Sequence, residues 1–202
     1  MLPTTVLLAS NNRHKLAEMS ELLAGLPIKL VTPAEVGISI DVPETGATYL
    51  ENARLKAEAF ARRSGLLSLA DDSGLEVKAL GGWPGVHSAR IAGPNSNDAQ
   101  RRELVLDRLL GKGGSERKAR FVSEVVLANS RGVVGQSRGS IEGTIALAPR
   151  GEGGFGYDPI FIPNGYDRTF GELSPSVKNA ISHRARAIAA LRPVLEHLSN
   201  KP

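Results

Sequence analysis

The sequence contains no cysteine. Disulfides, thiolate metal sites and a cysteine nucleophile are excluded, and a reducing compartment suits such a chain. Histidine is scarce, with 4 residues and no pair at helical ligand spacing, which argues against a histidine-based zinc centre. The aromatics are five Phe, three Tyr and one Trp, and they are not interleaved with Lys and Arg as a single-strand stacking platform requires. No apolar run approaches the roughly 20 residues of a membrane helix. The start, Met1-Leu2-Pro3-Thr4-Thr5, lacks the basic and apolar stretches of a signal peptide. The net charge of +4 is carried by scattered basic residues, paired at Arg62-Arg63 and Arg101-Arg102 but never in a run of five. It suits an anionic small molecule as readily as a nucleic acid. A soluble cytoplasmic protein, binding neither membrane nor nucleic acid, is the expectation.

With 202 residues, 41% of them hydrophobic, the chain can bury a proper core as a single domain of two lobes over 1–202. Val6–Ala9 reads as a short buried strand. The polar turn Ser10-Asn11-Asn12 follows, then a helix with Leu16, Met19, Leu22 and Leu23 on one face, ending near Gly25. Thr48-Tyr49-Leu50-Glu51 has the form of a capping box and opens a helix to about Ser64, with Gly65 as its stop. Leu66–Ala70 reads as a strand that ends abruptly at Asp71-Asp72-Ser73-Gly74. Asn97 caps a helix over about Asp98–Leu110, stopped by Gly111. Ala119–Ala128 and Gly132–Ala146 pair as a hairpin turning at Asn129-Ser130-Arg131-Gly132. Pro159–Pro163 is a brief strand, Ser174-Pro175 starts a helix, and Ser182 caps a last one to about Leu198, which Pro193 should kink or divide. Strands and helices alternating around a hairpin imply an α/β fold with a mixed sheet.

Several segments can carry chemistry. Ser10-Asn11-Asn12-Arg13-His14-Lys15 gathers small polar side chains, backbone amides, a helix N-terminus and a lysine within one turn, the combination a phosphate needs. An Asn N-cap beside a solvated lysine is the plainer reading of this segment taken alone, and without glycines it is no Walker loop. Asp71 and Asp72 at a strand end repel each other unless a cation compensates, and Mg²⁺ is the simplest hard cation for the purpose. One carboxylate can then hold metal while another deprotonates water. A solvated Asp-Ser-Gly turn explains the same residues without chemistry. Glu44-Thr45-Gly46 offers a third carboxylate, and Asn52 and Lys56 share one helical face. Gly153-Gly154-Phe155-Gly156-Tyr157-Asp158 sets a glycine-flanked Phe where a planar base can lie, although core packing explains a lone Phe equally well. Lys178 and Ser182-His183-Arg184 add cations and a polar cap. Ser73 has no nucleophile elbow and follows two acids, which oppose an alkoxide.

Together, in this order and spacing, these segments resemble the inosine/xanthosine triphosphate pyrophosphatase family. The likeness runs through Ser10–Lys15, Glu44–Gly46, Glu51-Asn52-Ala53 with Lys56-Ala57, and Ala70–Leu75. It continues through Pro84-Gly85-Val86 with Ser88-Ala89-Arg90, then Gly153–Phe161, and Lys178 with Ser182-His183-Arg184. The resemblance implies an elongated, two-lobed α/β structure around a central cleft, a homodimer, and Mg²⁺ as cofactor. The implied reaction cleaves a non-standard purine nucleoside triphosphate (ITP, dITP or XTP) to the monophosphate and pyrophosphate. It also implies residue roles. Ser10, Asn12 and Lys15, helped by Lys56, would grip the triphosphate, Asn11, Arg13 and His14 would also bind substrate, and Glu44 and Asp72 would hold the metal. Asp72 would be the catalytic base, supported by Asp71. Ser73, Phe155, Gly156, Tyr157, Asp158, Lys178, His183 and Arg184 would contact the nucleoside and base. A pyrophosphatase for modified pyrimidine or methylated nucleotides on a related fold, and a non-catalytic nucleic-acid binder, are the competing readings. The paired acids and the scarcity of aromatics oppose the second of these.

Overall fold

A computed structural model describes residues 3–199; residues 1–2, part of the start read for a signal peptide, and 200–202, at the end of the expected 1–202 domain, lie outside the described residues. The elements in chain order are β1 (Thr4–Leu8), α1 (Arg13–Leu22), β2 (Ile28–Val31), α2 (Tyr49–Ser64), β3 (Leu67–Val77), α3 (Asp98–Arg108), β4 (Lys118–Asn129), β5 (Gly132–Ile145), β6 (Phe161–Pro163), α4 (Pro175–Ile181) and α5 (His183–Ser199). The six strands form one mixed sheet in the order β2-β1-β3-β4-β5-β6. β1 pairs in parallel with β2 and β3, Val6 lying opposite Leu30 and Leu67, whereas β6 runs antiparallel to β5. The two residues between β4 and β5 suffice only for an antiparallel hairpin. Among the described residues no helix is long and apolar enough to cross a membrane.

The chain divides into two compact units, one of Met1–Asp72, Ser123–Gly139 and Arg184–Pro202, the other of Ser73–Val122 and Ser140–His183. The first unit is a sheet covered on both faces, and the period-2 alternation of strands decides what meets what. Val6, Leu8, Leu69, Val125 and Leu127 meet Met19 of α1 and Ile188, Leu191 and Leu195 of α5. Their neighbours Leu7, Ala9, Ala70, Val126 and Ala128 meet Ala53, Ala57, Phe60 and Ala61 of α2. The second unit is built on one cluster, in which Leu75, Val77, Phe121, Ile145 and Phe161 pack with Val105 of α3 and with Leu109 just past its end.

One expectation is corrected, and two details are added. β3 does not stop at Ala70 but continues through Asp71-Asp72-Ser73-Gly74 to Val77. The acids do not terminate it because each is neutralised from a flanking helix, as described below. β2 was not foreseen; it is four residues long with only Val31 buried, so its periodicity is weak. Pro193 does not divide α5. The Ala189 carbonyl, whose partner proline removes, lies on an exposed turn where water can serve it.

Candidate functional site

The loop between β1 and α1 is organised by its own side chains. Asn12 caps α1, its Oδ1 accepting from the N–H groups of His14 at 2.9 Å and Lys15 at 3.2 Å. Ser10 Oγ accepts from Asn12 N–H at 3.2 Å. Asn12 thus already serves two of the helix-end amides expected to face phosphate. Asn11, Asn12, Arg13 and His14 are exposed, Ser10 and Lys15 half-buried.

The adjacent acids on β3 part company because successive strand residues point to opposite faces. Asp71 turns to the α1 and α5 side. Its Oδ2 lies 2.7 Å from Lys15 Nζ and 3.0 Å from Arg184 Nη2, and Oδ1 accepts from Ser123 of β4. Arg184 also pairs with Glu18, one helical turn beyond Lys15. Burial alone would raise the pKa of Asp71, but Arg184 and Lys15 outweigh it and hold the carboxyl well below the usual range. Burial also lowers the pKa of Lys15, with Lys56 and Arg184 adding to the effect of lost solvent against the pull of Asp71.

Asp72 turns to the α2 side. Lys56 Nζ sits between Asp72 Oδ1 at 2.7 Å and Glu44 Oε1 at 2.8 Å, and it donates to the Asp71 carbonyl at 3.2 Å. Lys15 Nζ donates to that same carbonyl at 3.2 Å, so both lysines gather on one peptide group. Asn52, fully buried, contacts Asp72 Oδ2 at 3.5 Å and accepts from Gly46 N–H at 2.8 Å through Oδ1. The capping box of α2, in which Glu51 accepts from Ala47 and Thr48 N–H, fixes the loop carrying Glu44. Gly46 is required by close approach, since a Cβ there would lie 2.6 Å from Glu51 Cβ and 2.8 Å from Asn52 Oδ1. Burial raises the pKa of Asp72 beyond what Lys56 and Lys15 can reverse, and Glu44 adds to the rise. Burial pulls Lys56 down, yet Asp72 and Glu44 together leave its pKa raised.

The second unit holds the aromatic segment. Phe155 is half-buried, and Lys178 Nζ lies 4.7 Å from its ring centroid. Lys178, itself buried, is paired with Asp158 Oδ2, which also accepts from Phe155 N–H at 2.8 Å. Gly154, at φ +70°, could not carry a side chain without displacing that carboxylate, for its Cβ would fall 2.1 Å from Asp158 Oδ2. Tyr157 is buried and donates to the Ser88 carbonyl at 2.7 Å; loss of solvent raises the pKa of its phenol. His183 is buried and stacks on Phe121 with centroids 4.7 Å apart. Ser73 follows Asp72 on β3, half-buried.

The structure therefore joins Lys15 with Asp71 and Arg184, joins Glu44 and Asp72 through Lys56, and separately joins Phe155, Asp158 and Lys178. Arg184, grouped with His183 by sequence, belongs to the first unit and is 1% exposed between Asp71 and Glu18. Sequence reasoning missed Glu18 and Ser123. Glu18 follows Lys15 at i,i+3 on one helix, a signal present in the sequence, whereas Ser123 lies 52 residues from Asp71 with no local cue. Among the described residues no cluster of three His, Cys, Asp or Glu forms a metal cage. Glu44 and Asp72 are two hard oxygen donors that bracket one cation, the Lys56 ammonium, and could hold a metal.

Residues 6–194 match the sequence profile of the Ham1 family. A dITP/XTP pyrophosphatase of Mycobacterium bovis is 48% identical over 201 residues, covering 98% of both chains. One from Thermus thermophilus is 49% identical over 186 residues, covering 92% of this chain and 89% of its own. The structure of a HAM1 protein from Coxiella burnetii superposes with TM-score 0.86 at 46% identity, over 96% of this chain and 99% of that one. The Ham1 protein of Staphylococcus aureus gives 0.84 at 38% identity, over 96% of this chain and 100% of the other.

Proposed function

The chain belongs to the Ham1 family, and from that premise we propose that it hydrolyses non-standard purine nucleoside triphosphates, dITP and XTP among them, to the monophosphate and pyrophosphate. The observation that carries the proposal is the convergence of Glu44 and Asp72 on one ammonium, with the Asp72 pKa raised. Mg²⁺ fits this donor set, because it takes one or two carboxylates and completes its shell with water and substrate phosphate. Bound by Glu44 and Asp72, it supplies charge neutralisation and polarises phosphate oxygens.

The chain's own residues do the rest. Lys15 and Lys56, held near one carbonyl, offset charge on the phosphates and on the leaving pyrophosphate. Asp72, at the end of the Lys56 pairing, is the acceptor for a water proton. The water oxygen forms a bond to the α-phosphorus, the bond to the bridging oxygen breaks, and pyrophosphate departs with the electron pair. Asp71 is a poor base, since Arg184 and Lys15 hold it ionised. Its part is to fix Lys15. In the second unit, Phe155 supplies a stacking face, and Lys178 with Asp158 a donor and an acceptor. A 6-keto oxygen satisfies a donor there, whereas the amino group of adenine leaves it unpaired at roughly 1–3 kcal/mol.

The test is incubation of the purified protein with ITP, XTP, GTP, ATP and a pyrimidine triphosphate. Pyrophosphate from ITP and XTP is expected, lost on chelation of Mg²⁺, with Asp72→Asn slowing turnover about a hundredfold or more. Release of orthophosphate, or preference for the pyrimidine, would overturn the reading.

A further inference from the structure

The N-terminal end of α3 grips the backbone of the aromatic loop. Gly156, at φ +60°, donates its N–H to Asp98 Oδ2 at 2.7 Å and offers its carbonyl to Arg102 Nη1 at 2.8 Å. The peptide groups on both sides of one residue are thus held from a single helix. The second carboxylate oxygen of Asp98 pairs with Arg101, which in turn donates to the carbonyls of Ser96 at 2.7 Å and Ala89 at 3.2 Å. Asp98 stays ionised because its bond from Gly156 and its pairing with Arg101 outweigh the effect of burial.

None of this is needed to build α3. The helix is capped by Asn97 and Gln100, which satisfy each other's backbone N–H groups, and its packing comes from the fully buried Val105 and Leu109. Three charged side chains among the first five residues of a helix would ordinarily be solvated. Here all three are turned onto backbone atoms of two loops. The gripped loop is one that needs gripping, since Gly151, Gly154 and Gly156 all adopt positive φ and glycine leaves many alternatives open.

We propose that Asp98 and Arg102 are positioning residues for purine recognition, clamping Gly156 so that Phe155 and the Asp158–Lys178 pair are preset for the base. The proposal rests on the assignment of Phe155 to the base in the preceding section. Without the clamp the loop spends only part of its time in the binding conformation, and apparent affinity falls by that fraction. Phosphate handling belongs to residues of the first unit and is left alone.

The experiment measures kcat and KM for ITP, and the inhibition constant of inorganic tripolyphosphate, which has no base. Arg102→Ala is expected to raise the KM for ITP about tenfold, equivalent to about 1.4 kcal/mol, with kcat within about twofold. The tripolyphosphate constant and the thermal midpoint should hold. Arg102→Lys, which keeps a donor and a charge, should recover most of the affinity. Asp98→Asn, which keeps one acceptor for Gly156 but loses the pairing with Arg101, should fall between and serves if Arg102→Ala does not fold. An unchanged KM in an enzyme that hydrolyses ITP would overturn the clamp. So would an equal weakening of ITP and tripolyphosphate. A wild-type protein inert toward every purine triphosphate would instead overturn the proposed function.

Discussion

Exchanging each of the adjacent acids of β3 for asparagine should give opposite phenotypes. The Asp71 side chain is 1% exposed and Arg184 2%, with Lys15 and Ser123 completing the network. Removing one charge from a buried pair strands its partner and destabilises by about 3–5 kcal/mol. Glu18 still engages Arg184, so Asp71→Asn is expected at the lower end, about 3 kcal/mol. That corresponds to a drop in thermal midpoint of roughly 6–12 °C for a chain of this size. Asp72 differs because its charged form is already disfavoured by burial and by Glu44. Neutralising it should change stability by no more than about 1 kcal/mol, while removing turnover. Urea unfolding at pH 7, read as midpoint and slope, is the assay. The pH dependence follows the same signs. Asp71 has a folded pKa below its ordinary 3.8, so its stabilisation is full above that value and is lost as pH falls through the folded pKa. The gap between wild type and Asp71→Asn should therefore close on strong acidification. Asp72, with its pKa raised, penalises the folded state at neutral pH, and that penalty is relieved as pH falls. Equal losses for the two variants, or the larger loss at Asp72, would refute this division of labour.

Two further outcomes are expected. Gly46→Ala should destabilise by roughly 1–3 kcal/mol, because the new Cβ meets Glu51 and Asn52 within 2.8 Å. By shifting Glu44 it should also raise the Mg²⁺ concentration needed for half-maximal pyrophosphate release. Arg117→Met should lower stability by roughly 3 kcal/mol or more with the KM for ITP unchanged, since the buried guanidinium donates to the carbonyls of Leu109, Lys112, Ile145 and Ala146.

Local chemistry made much of the fold legible. Asn12, Thr48, Asn97 and Ser174 cap the helices that follow them, and Gly65 ends α2 at φ +72°. These signals lie within four residues of what they control. The continuation of β3 through Asp71 and Asp72 was not legible, because two acids read locally as a turn. The cations that let the strand run on come from α1, α2 and α5, remote in sequence. The spacing of Asn52 and Lys56 placed both on one face, and both meet Asp72. The partnership of Asp98 with Gly156 spans 58 residues and left no trace in the local pattern.

The most direct measurement is hydrolysis of ITP in ¹⁸O-labelled water, followed by mass analysis of both products. Attack at the α-phosphorus, with Asp72 taking the proton, places the label in the monophosphate and leaves the pyrophosphate unlabelled. Label recovered in pyrophosphate would contradict it.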